Sequence, residues 1–170
     1  MTEINTERLV LQPVGQNVAR ALLDGQTPHG MVLAAGYPSE FSREVLELAA
    51  AADPAVAATG PYFIVRKADR EIVGEIGSDI DTASGTAQVG YSIVEPLWGL
   101  GYATEALYAL ITHLLTRVGV RRVVAETFVE HTASRRVMEK AGMRQCGERA
   151  GEEDGRTVAL AIYETGAGGA

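Results

Sequence analysis

The chain has 170 residues, of which 46% are hydrophobic and 22% charged, and its mean hydropathy is +0.04. This composition indicates one ordinary globular domain, and no apolar run reaches the ~18 residues that a membrane-spanning helix needs. Fifteen basic and 22 acidic residues give a formal net charge of −7, which disfavours a protein that binds nucleic acid by neutralising its phosphates.

The cysteine and histidine content argues against a disulfide and against a metal centre. The single cysteine, Cys146, cannot close an internal bridge, and the three histidines have no metal-ligand spacing. The first residues carry charges and a polar break, so no secretory signal is expected. We therefore expect a protein of the reducing cytoplasm, with neither a membrane nor a nucleic acid as its partner.

Hydrophobic spacing and turn residues predict strands and helices along a single domain. In chain order the predicted elements are a strand at residues 9–11, a helix at 17–23, a loop at 27–38, a helix at 42–52, strands at 62–65, 71–76 and 87–94, a helix at 102–118, a strand at 122–128, a helix at 132–141, and strands at 144–149 and 158–163. The polar residues 67–70 and the turn-rich residues 79–85 separate neighbouring strands. The composition of residues 165–170 predicts a flexible tail that follows a domain at residues 1–164.

The helices give the clearest periodicity. Apolar positions of the helix at 102–118 keep helical spacing for about four turns up to Val118, before Gly119 as a C-terminal cap. The helix at 42–52 has an apolar stripe that includes Leu48. Hairpin strands followed by strand, helix and strand predict an α/β (α+β) chain. Its sheet is mixed, with an antiparallel front and at least one parallel crossover.

A glycine-rich turn joins the strand at 87–94 to the long helix. Gly99 and Gly101 lie in this turn, and the helix begins directly after them. Glycine lets the backbone approach a ligand closely, and a helix N-terminus presents unpaired N–H groups and a partial positive charge. The turn is therefore suited to a phosphate or pyrophosphate, to which Thr104 adds a hydroxyl. A tight strand-to-helix turn without a ligand explains the same glycines.

Spacing tests two other phosphate motifs. The phosphate loop of nucleotide hydrolases needs a Gly-Lys pair, and the chain has none. The dinucleotide motif G-x-G-x-x-G needs a glycine at position 104, where Thr104 stands. Glu126 does lie where a ribose-binding acid would, but four residues separate the strand from the glycines and only one convincing crossover follows. A dinucleotide enzyme is therefore disfavoured.

The turn and several other segments resemble the GNAT acetyltransferases. Residues 98–103 read Trp-Gly-Leu-Gly-Tyr-Ala and fit the Q/R-x-x-G-x-G/A loop that binds the pyrophosphate of acyl-CoA, with Trp98 in the place of Gln or Arg. The longer string at 98–106 resembles the branch that contains ribosomal-protein N-terminal acetyltransferases. Further segments agree with the family in order, at residues 6–11, 73–77, 89–91 and 133–142.

The resemblance implies a GNAT-like fold and an N-acetyltransferase. The implied fold is a mixed, mostly antiparallel central sheet flanked by helices, splayed between the strand ending near Val94 and the strand at 122–128. Residues 1–164 would form one acyl-CoA N-acyltransferase domain that moves acetyl from acetyl-CoA to a primary amine by direct attack in a ternary complex. The acidic chain favours a cationic acceptor. Homodimers are common in the family, so a second copy of the chain is a candidate partner.

The resemblance also implies which residues hold acetyl-CoA. They are Ile93, Val94, Trp98, Gly99, Leu100, Gly101, Tyr102, Ala103, Thr104, His131, Ser134 and Lys140. Backbone groups of Ile93 and Val94 would pair with the pantetheine arm, and a backbone N–H there would stabilise the oxyanion. His131 replaces the family's usual asparagine, and its imidazole either makes the same contact or caps the turn. Lys140 would meet the 3′-phosphate, or else it belongs to a solvated helix face.

For the acid of the reaction the resemblance points to Ser134. This serine shares a helix face with Val137, Met138 and Ala141, and many GNAT enzymes carry a tyrosine acid at the place of Met138. In the ribosomal-protein branch a serine matching Ser134 is proposed to protonate the leaving thiolate. The alternative is a hydrogen bond from Ser134 back to a carbonyl of the preceding turn.

The base must be a carboxylate, because the amine arrives largely protonated. Related sequences often carry glutamate where Gln88 stands, and a neutral amide cannot accept the proton. Glu126 and Glu75 are the remaining sheet carboxylates, and Glu153 lies further along the chain. Exposure to solvent or pairing with an arginine explains Glu126 and Glu75 as well.

A function of another class remains as the alternative. Gln88, His131 and Met138 all depart from the family pattern at places where it carries chemistry. The chain could therefore be a catalytically weak CoA-binding sensor or interaction module.

Overall fold

Strand-forming segments dominate both halves of the chain and join in one sheet. The structure is a computed structural model that describes residues 2–52 and 61–166. Its elements are β1 (Ile4–Asn5), β2 (Leu9–Pro13), α1 (Gln16–Leu23), β3 (Val32–Leu33), α2 (Glu40–Ala51), β4 (Tyr62–Arg66), β5 (Glu71–Asp81), β6 (Thr86–Ile93), a 3-10 turn (Glu95–Leu97), α3 (Tyr102–Leu115), β7 (Arg122–Phe128), α4 (Thr132–Lys140), β8 (Arg144–Glu153) and β9 (Arg156–Gly166).

The strands of the described ranges form one nine-stranded sheet. The order across it is β1-β2-β4-β5-β6-β7-β9-β8, and β3 pairs with β5 outside this path. Neighbours are antiparallel except for two parallel pairs, β3 with β5 and β6 with β7. The connection between β6 and β7 contains α3, because parallel neighbours need a crossover. The predicted α/β (α+β) class with a mixed, mostly antiparallel sheet is confirmed.

β6 and β7 separate after a short paired stretch. Their parallel register ends where Gln88 lies opposite Val124. β6 nevertheless continues along β5 as far as Ile93. The sheet is therefore parted between these two strands, as the resemblance implies, and the parting begins at Gln88 rather than near Val94.

Helices cover both faces of the sheet. α4 lies on the face of Tyr91, to which it is hydrogen-bonded. Tyr37, which precedes α2, packs its ring edge against Phe63 with the centroids 6.4 Å apart. Phe63 lies opposite Glu75, and Glu75 lies opposite Ser92, so these three side chains share a face. Because side chains alternate along a strand, Ser92 and its neighbour Tyr91 point to opposite faces.

The long helix α3 keeps its apolar stripe but ends early. Its buried residues are Ala106, Leu107, Leu110, Ile111 and Leu114. The helix ends at Leu115, because the N–H and the hydroxyl of Thr116 both donate to the His113 carbonyl, at 3.2 and 2.7 Å, and close the last turn. Val118 lies beyond this turn and is fully exposed, so its predicted place on the stripe is wrong.

The helix α2 begins two residues before its predicted start and buries a narrower stripe. Ser39 caps it, since its Oγ accepts the Ser42 N–H at 3.1 Å. Leu48 is 71% exposed, which corrects its predicted place on the apolar side. The loop predicted at 27–38 contains the short strand β3, which pairs with β5.

Three strands extend well beyond their predicted ends. β5 extends to Asp81, within a segment predicted as a turn, because it keeps its pairing with β6 to that residue. β8 extends to Glu153 along β9. β9 includes Thr165 and Gly166 of the predicted tail, which pair with β7. Residues 167–170 lie outside the described residues.

Candidate active site

The turn before α3 is open and contains two glycines in the left-handed region. Gly99 and Gly101 have φ of 77° and 82°, a conformation that favours glycine. The first hydrogen bond of α3 runs from the Glu105 N–H to the Gly101 carbonyl at 3.1 Å, so the preceding N–H groups face outward, as at any helix start. Trp98 and Leu100 beside them are 63% and 50% exposed. The turn can therefore receive a phosphate group.

Arg8, which lies just before β2, ties the turn to the sheet. Its Nε donates to Glu105 Oε2 at 2.7 Å, and its Nη1 donates to the Leu100 carbonyl at 2.9 Å. Its guanidinium carbon lies 4.7 Å from the centroid of the Tyr102 ring, a cation–π contact. Thr6 Oγ1 donates to Glu105 Oε1 at 2.6 Å. These contacts fix the Leu100 carbonyl and bring a guanidinium beside the turn, a role of Arg8 that the sequence pattern did not reveal.

Trp98 reaches from the turn to the parted end of β6. Its Nε1 donates to the Ile93 carbonyl at 2.6 Å. The Val94 N–H donates to the Val73 carbonyl at 3.0 Å, and the Val94 carbonyl accepts the Leu97 N–H at 3.0 Å. Backbone groups alternate along an antiparallel pair, so those of Ile93 face the parting. The prediction of free backbone groups is therefore wrong for the Val94 N–H, and the carbonyls of Ile93 and Val94 already accept one hydrogen bond each.

Ser134, in the first turn of α4, bridges the parting. Its Oγ lies 2.9 Å from the hydroxyl oxygen of Tyr91, and the Tyr91 hydroxyl donates to the Ser134 carbonyl at 3.2 Å. Either hydroxyl can donate to the other, and the Tyr91 proton can be directed to the Ser134 oxygen or to the Ser134 carbonyl. Burial raises the pKa of Tyr91, and the hydrogen bond with Ser134 offsets part of that rise. Ser134 thus binds across the strands and not back along its helix, and Tyr91 joins the site although the sequence alone did not place it there.

Two other predicted residues lie on α4. His131 is exposed at the N-cap position, with its Nδ1 3.4 Å from Thr127 Oγ1, and its side chain does not cap the helix. The capping alternative for its imidazole is therefore wrong. Lys140 is exposed in the last turn, six residues and about 9 Å along the helix axis from Ser134.

The predicted base Glu126, on β7, is held in an ion pair. Arg149 of β8 donates from Nε to Glu126 Oε1 at 2.9 Å and from Nη2 to Oε2 at 2.5 Å. Both carboxylate oxygens are therefore occupied, and the two side chains are 22% and 50% exposed. Pairing with an arginine is thus the arrangement that the structure shows for Glu126. Glu153 lies at the end of β8, opposite Arg156 and exposed.

The predicted base Glu75, on β5, is buried. It is 1% exposed, and its carboxyl oxygens make no hydrogen bond within the described residues. The hydroxyls of Ser42 and Tyr37 face the carboxyl, and the Tyr37 hydroxyl is itself buried without a hydrogen bond there. Burial raises the pKa of Glu75, and the two hydroxyls offset only part of the rise. The free protein therefore favours the neutral carboxyl more than an exposed glutamate does.

We expect a Glu75→Gln variant to gain stability relative to the wild type as the pH rises. Folded Glu75 holds its proton more tightly than the unfolded chain does, so the wild type loses stability above its usual pKa of 4.5, whereas the neutral amide does not. Urea unfolding of both proteins from about pH 4 to about pH 8 measures the difference. A difference in unfolding free energy that stays constant over this range contradicts the raised pKa.

Two surface cavities lie away from the turn. One of about 480 Å³ is lined by Arg122, Arg144 and Cys146, and one of about 450 Å³ by Arg149 and Thr157, among others. Within residues 2–52 and 61–166, no group of three His, Cys, Asp or Glu side chains is placed to hold a metal ion. No helix of those ranges is both long and apolar enough to cross a membrane.

Comparison with known proteins places this geometry in a family. A family model described as an acetyltransferase (GNAT) domain matches residues 8–144. An uncharacterized N-acetyltransferase, p20 from Bacillus licheniformis, is 30% identical over 87 residues, which cover 51% of this chain and 49% of that protein. The chain thus spans about half the length of the curated relatives that it matches.

Two solved structures share the fold over nearly the whole chain. RimL, a ribosomal L7/L12 α-N-protein acetyltransferase in complex with coenzyme A, has a TM-score of 0.71 at 19% identity and covers 97% of this chain and 98% of its own. MccE, a microcin C7 self-immunity acetyltransferase in complex with acetyl-CoA and AMP, has a TM-score of 0.72 at 22% identity, with 95% and 93% covered.

The glycine turn, the parted strands and Ser134 all lie inside the segment that the family model matches. The chain belongs to the GNAT acetyltransferase family.

Proposed function

We propose that this protein transfers the acetyl group of acetyl-CoA to a primary amine by direct attack in a ternary complex. One observation carries the proposal: the open glycine turn at the N-terminus of α3 follows, after one 3-10 turn, on the end of β6 that has left β7. A pyrophosphate on this turn leaves the thioester beside the parted strands. The bound CoA of RimL and the bound acetyl-CoA of MccE, which share the fold, support this choice of donor.

The residues of the turn fit a pyrophosphate. Gly99 and Gly101 have no side chains, so the backbone of the turn is accessible. The N–H groups of Tyr102, Ala103 and Thr104, in the first turn of α3, have no partner within the helix and can donate to the phosphate oxygens. Arg8, which forms an ion pair with Glu105 at 2.7 Å, places its guanidinium beside the turn in a chain that is acidic overall.

The backbone of Ile93 serves the arm of the donor. Its N–H and carbonyl face the parting, where an extended pantetheine chain can pair with them as an added strand. The carbonyl already accepts Trp98 Nε1 and has a second lone pair for this purpose. His131 and Lys140 lie at the two ends of α4, and we assign them to the arm and the 3′-phosphate respectively.

Ser134 and Tyr91 handle the proton of the leaving group. When the amine nitrogen attacks the thioester carbon, the carbon–sulfur bond breaks and the thiolate needs a proton. The Ser134 hydroxyl supplies it, and Tyr91 turns its own proton from the Ser134 carbonyl to the Ser134 oxygen, 2.9 Å away. Solvent then returns a proton to Tyr91, so the pair is restored after each turnover.

Glu75 is the carboxylate that we assign to the proton of the amine. Gln88 is an amide, and both oxygens of Glu126 are occupied by Arg149. The oxygens of Glu75 are free of hydrogen bonds within the described residues. Its raised pKa also makes Glu75 a stronger base than an exposed glutamate.

A thiol-release assay tests the proposal. Acetyl-CoA is incubated with the protein and a panel of primary amines, and free CoA is measured with a thiol reagent. We expect release that depends on the amine, with one acetylated amine formed for each CoA. Tight binding of acetyl-CoA without release on any amine contradicts acetyl transfer and favours the CoA-binding module instead.

We expect an Arg8→Ala variant to bind acetyl-CoA about 10-fold more weakly, because the turn loses its hydrogen bond to Leu100 and a nearby positive charge. Isothermal titration with acetyl-CoA measures the affinity. Arg122→Ala is the matched control, since Arg122 is exposed in an ion pair with Glu164, 3.5 Å apart, on another part of the sheet. Equal affinities of the two variants contradict a role of Arg8 at the turn.

Three points remain predictions from the sequence: a cationic acceptor, a second copy of the chain as partner, and a cytoplasmic location.

A further inference from the structure

The buried hydroxyl of Tyr163 lies between two side chains of α4. Tyr163, on β9, is 0% exposed, and its hydroxyl accepts a hydrogen bond from Arg135 Nε at 3.1 Å and donates one to Glu139 Oε1 at 3.0 Å. A guanidinium only donates and a carboxylate only accepts, so the direction of both bonds is fixed. Arg135 and Glu139 are one helical turn apart, so a single atom of the sheet binds two successive turns of α4.

Arg135 extends this contact to the neighbouring segments. Its Nη1 donates to the carbonyl of Val129, the residue after β7, at 3.0 Å, and its Nη2 donates to Gln145 Oε1 on β8 at 3.2 Å. The planar guanidinium has donors for all three partners at once. Together with the bond to Tyr163 on β9, these contacts fix α4 to the strands on the β7 side of the parting.

The helix α4 has few other contacts that would fix its orientation. Among its nine described residues Met138 alone is buried, and no side chain of the described chain caps its N-terminus. A helix of this length is not stable by itself. Glu139 also stands in the last turn, where the negative end of the helix dipole disfavours an acidic side chain. The hydrogen bond from Tyr163 offsets this cost, so the polar contacts with β9 determine how α4 lies on the sheet.

The orientation of α4 decides where the Ser134 hydroxyl lies. Ser134 immediately precedes Arg135, and its Oγ lies 2.9 Å from the hydroxyl oxygen of Tyr91 on β6. Tyr91 and Tyr163 therefore bind α4 from the two sides of the parting. A rotation of α4 by about 15° moves an atom that lies about 4 Å from the helix axis by about 1 Å. A displacement of about 1 Å is enough to slow a reaction about 100-fold.

We propose that Tyr163 is a positioning residue for acetyl transfer: its hydroxyl, between Arg135 and Glu139, fixes the orientation of α4 and so keeps the Ser134 hydroxyl at the sulfur of the donor. This inference rests on the proposed acetyl transfer, in which Ser134 protonates the leaving thiolate. The Tyr163 side chain is buried against α4, so it acts through Ser134 and not on the donor itself.

Tyr163→Phe tests the proposal, because it removes the hydroxyl and keeps the ring. We expect kcat to fall about 10-fold, while the KM for the amine and the affinity for acetyl-CoA stay within about twofold of the wild type. The loss is smaller than that expected for removal of the Ser134 hydroxyl, since Arg135 keeps its bonds to Val129 and Gln145. Single-turnover release of thiol measures the chemical step. An unchanged kcat overturns the proposal.

Tyr62→Phe is the matched control. Tyr62 is also buried, at 1% exposed, but it lies on β4, with β5 and β6 between it and the parting. This variant loses the same atom from a buried ring, and its kcat should stay within about twofold of the wild type. An equal fall of kcat in both variants shows a general effect of losing a buried hydroxyl and overturns the positioning role.

A double variant separates positioning from a general loss of structure. If Tyr163 acts through Ser134, the combination of Tyr163→Phe with Ser134→Ala should be no slower than Ser134→Ala alone. A merely structural role of Tyr163 lowers the rate by the same factor whether or not the serine is present. A further loss of about 10-fold in the double variant therefore overturns the proposal.

Hydrogen exchange tests the hold on α4 without any turnover. The amide groups of α4 should exchange about 10-fold faster in Tyr163→Phe than in the wild type or in Tyr62→Phe. Unchanged exchange overturns the proposal. If the wild type releases no thiol with any amine, the acetyl transfer fails, and the exchange rates then decide independently whether Tyr163 holds α4.

Glu139→Ala replaces Tyr163→Phe if the latter does not fold. Glu139 is exposed, and its removal takes away one of the two hydrogen bonds that join the Tyr163 hydroxyl to α4. We expect a fall of kcat of about threefold or more and faster exchange of α4. Values of both that equal those of the wild type overturn the proposal.

Discussion

A Gly101→Glu variant is expected to bind acetyl-CoA at least about 100-fold more weakly than the wild type. The new carboxylate would stand at the positive end of α3, in the space that we assign to the pyrophosphate, and would repel it. Gly101 has φ of 82°, so a side chain there also adds backbone strain of roughly 1–2 kcal/mol. Isothermal titration measures the affinity, and thermal unfolding followed by circular dichroism measures the stability.

Gly119→Glu separates the two effects of that substitution. Gly119 has φ of 92° beyond the other end of α3, and a Cβ built there meets no atom within 4 Å. The control therefore carries the same charge and a similar backbone strain without touching the turn, whereas a Cβ built on Gly101 also lies 3.3 Å from Arg8 Nη2. Both variants should lose stability, and only Gly101→Glu should lose affinity. Equal affinity of the two variants for acetyl-CoA contradicts the assignment of the pyrophosphate to this turn.

A Ser134→Ala variant is expected to lower kcat about 100-fold while the affinity for acetyl-CoA changes by less than about threefold. The hydroxyl acts on the leaving thiolate, so its loss raises the barrier to carbon–sulfur cleavage more than it weakens binding. Single-turnover release of thiol from the preformed complex with acetyl-CoA measures the chemical step directly.

Tyr91→Phe tests whether the two hydroxyls act as one unit. Tyr91 lies 43 positions before Ser134 in the chain, yet their oxygens are 2.9 Å apart. If Tyr91 acts through Ser134, the double variant should be no slower than Ser134→Ala alone. Losses of kcat that are additive in the double variant argue against a shared proton path. An undiminished kcat in Ser134→Ala contradicts a role of the serine in the reaction.

The sequence predicts those features that depend on neighbours along the chain. The stripe of α3 follows from apolar residues at helical spacing, and Gly99 with Gly101 marks the turn because only glycine adopts positive φ without strain. The parallel crossover between β6 and β7 follows from a strand, a helix and a strand in succession. Each of these features is local, so periodicity and turn residues suffice.

Contacts across the sheet are not predicted in the same way. Arg8 meets Glu105 over 97 positions, and Tyr37 meets Glu75 only because the segment before α2 folds over β5. Which face of a strand carries a side chain depends on the register with its neighbours, and the sequence does not state the register. Val94 illustrates the same limit, since its N–H is taken by the Val73 carbonyl of the adjacent strand.

The parting between β6 and β7 also weakens the sheet locally. In the described chain only three residue pairs of these two strands face each other, and α3, which packs on strands of both sides, and the Tyr91–Ser134 contact add to the connection. A molecule bound in this gap contacts the strands on both sides, so part of its binding free energy stabilises the sheet across the parting. The complex with the donor substrate would then be more rigid than the free protein.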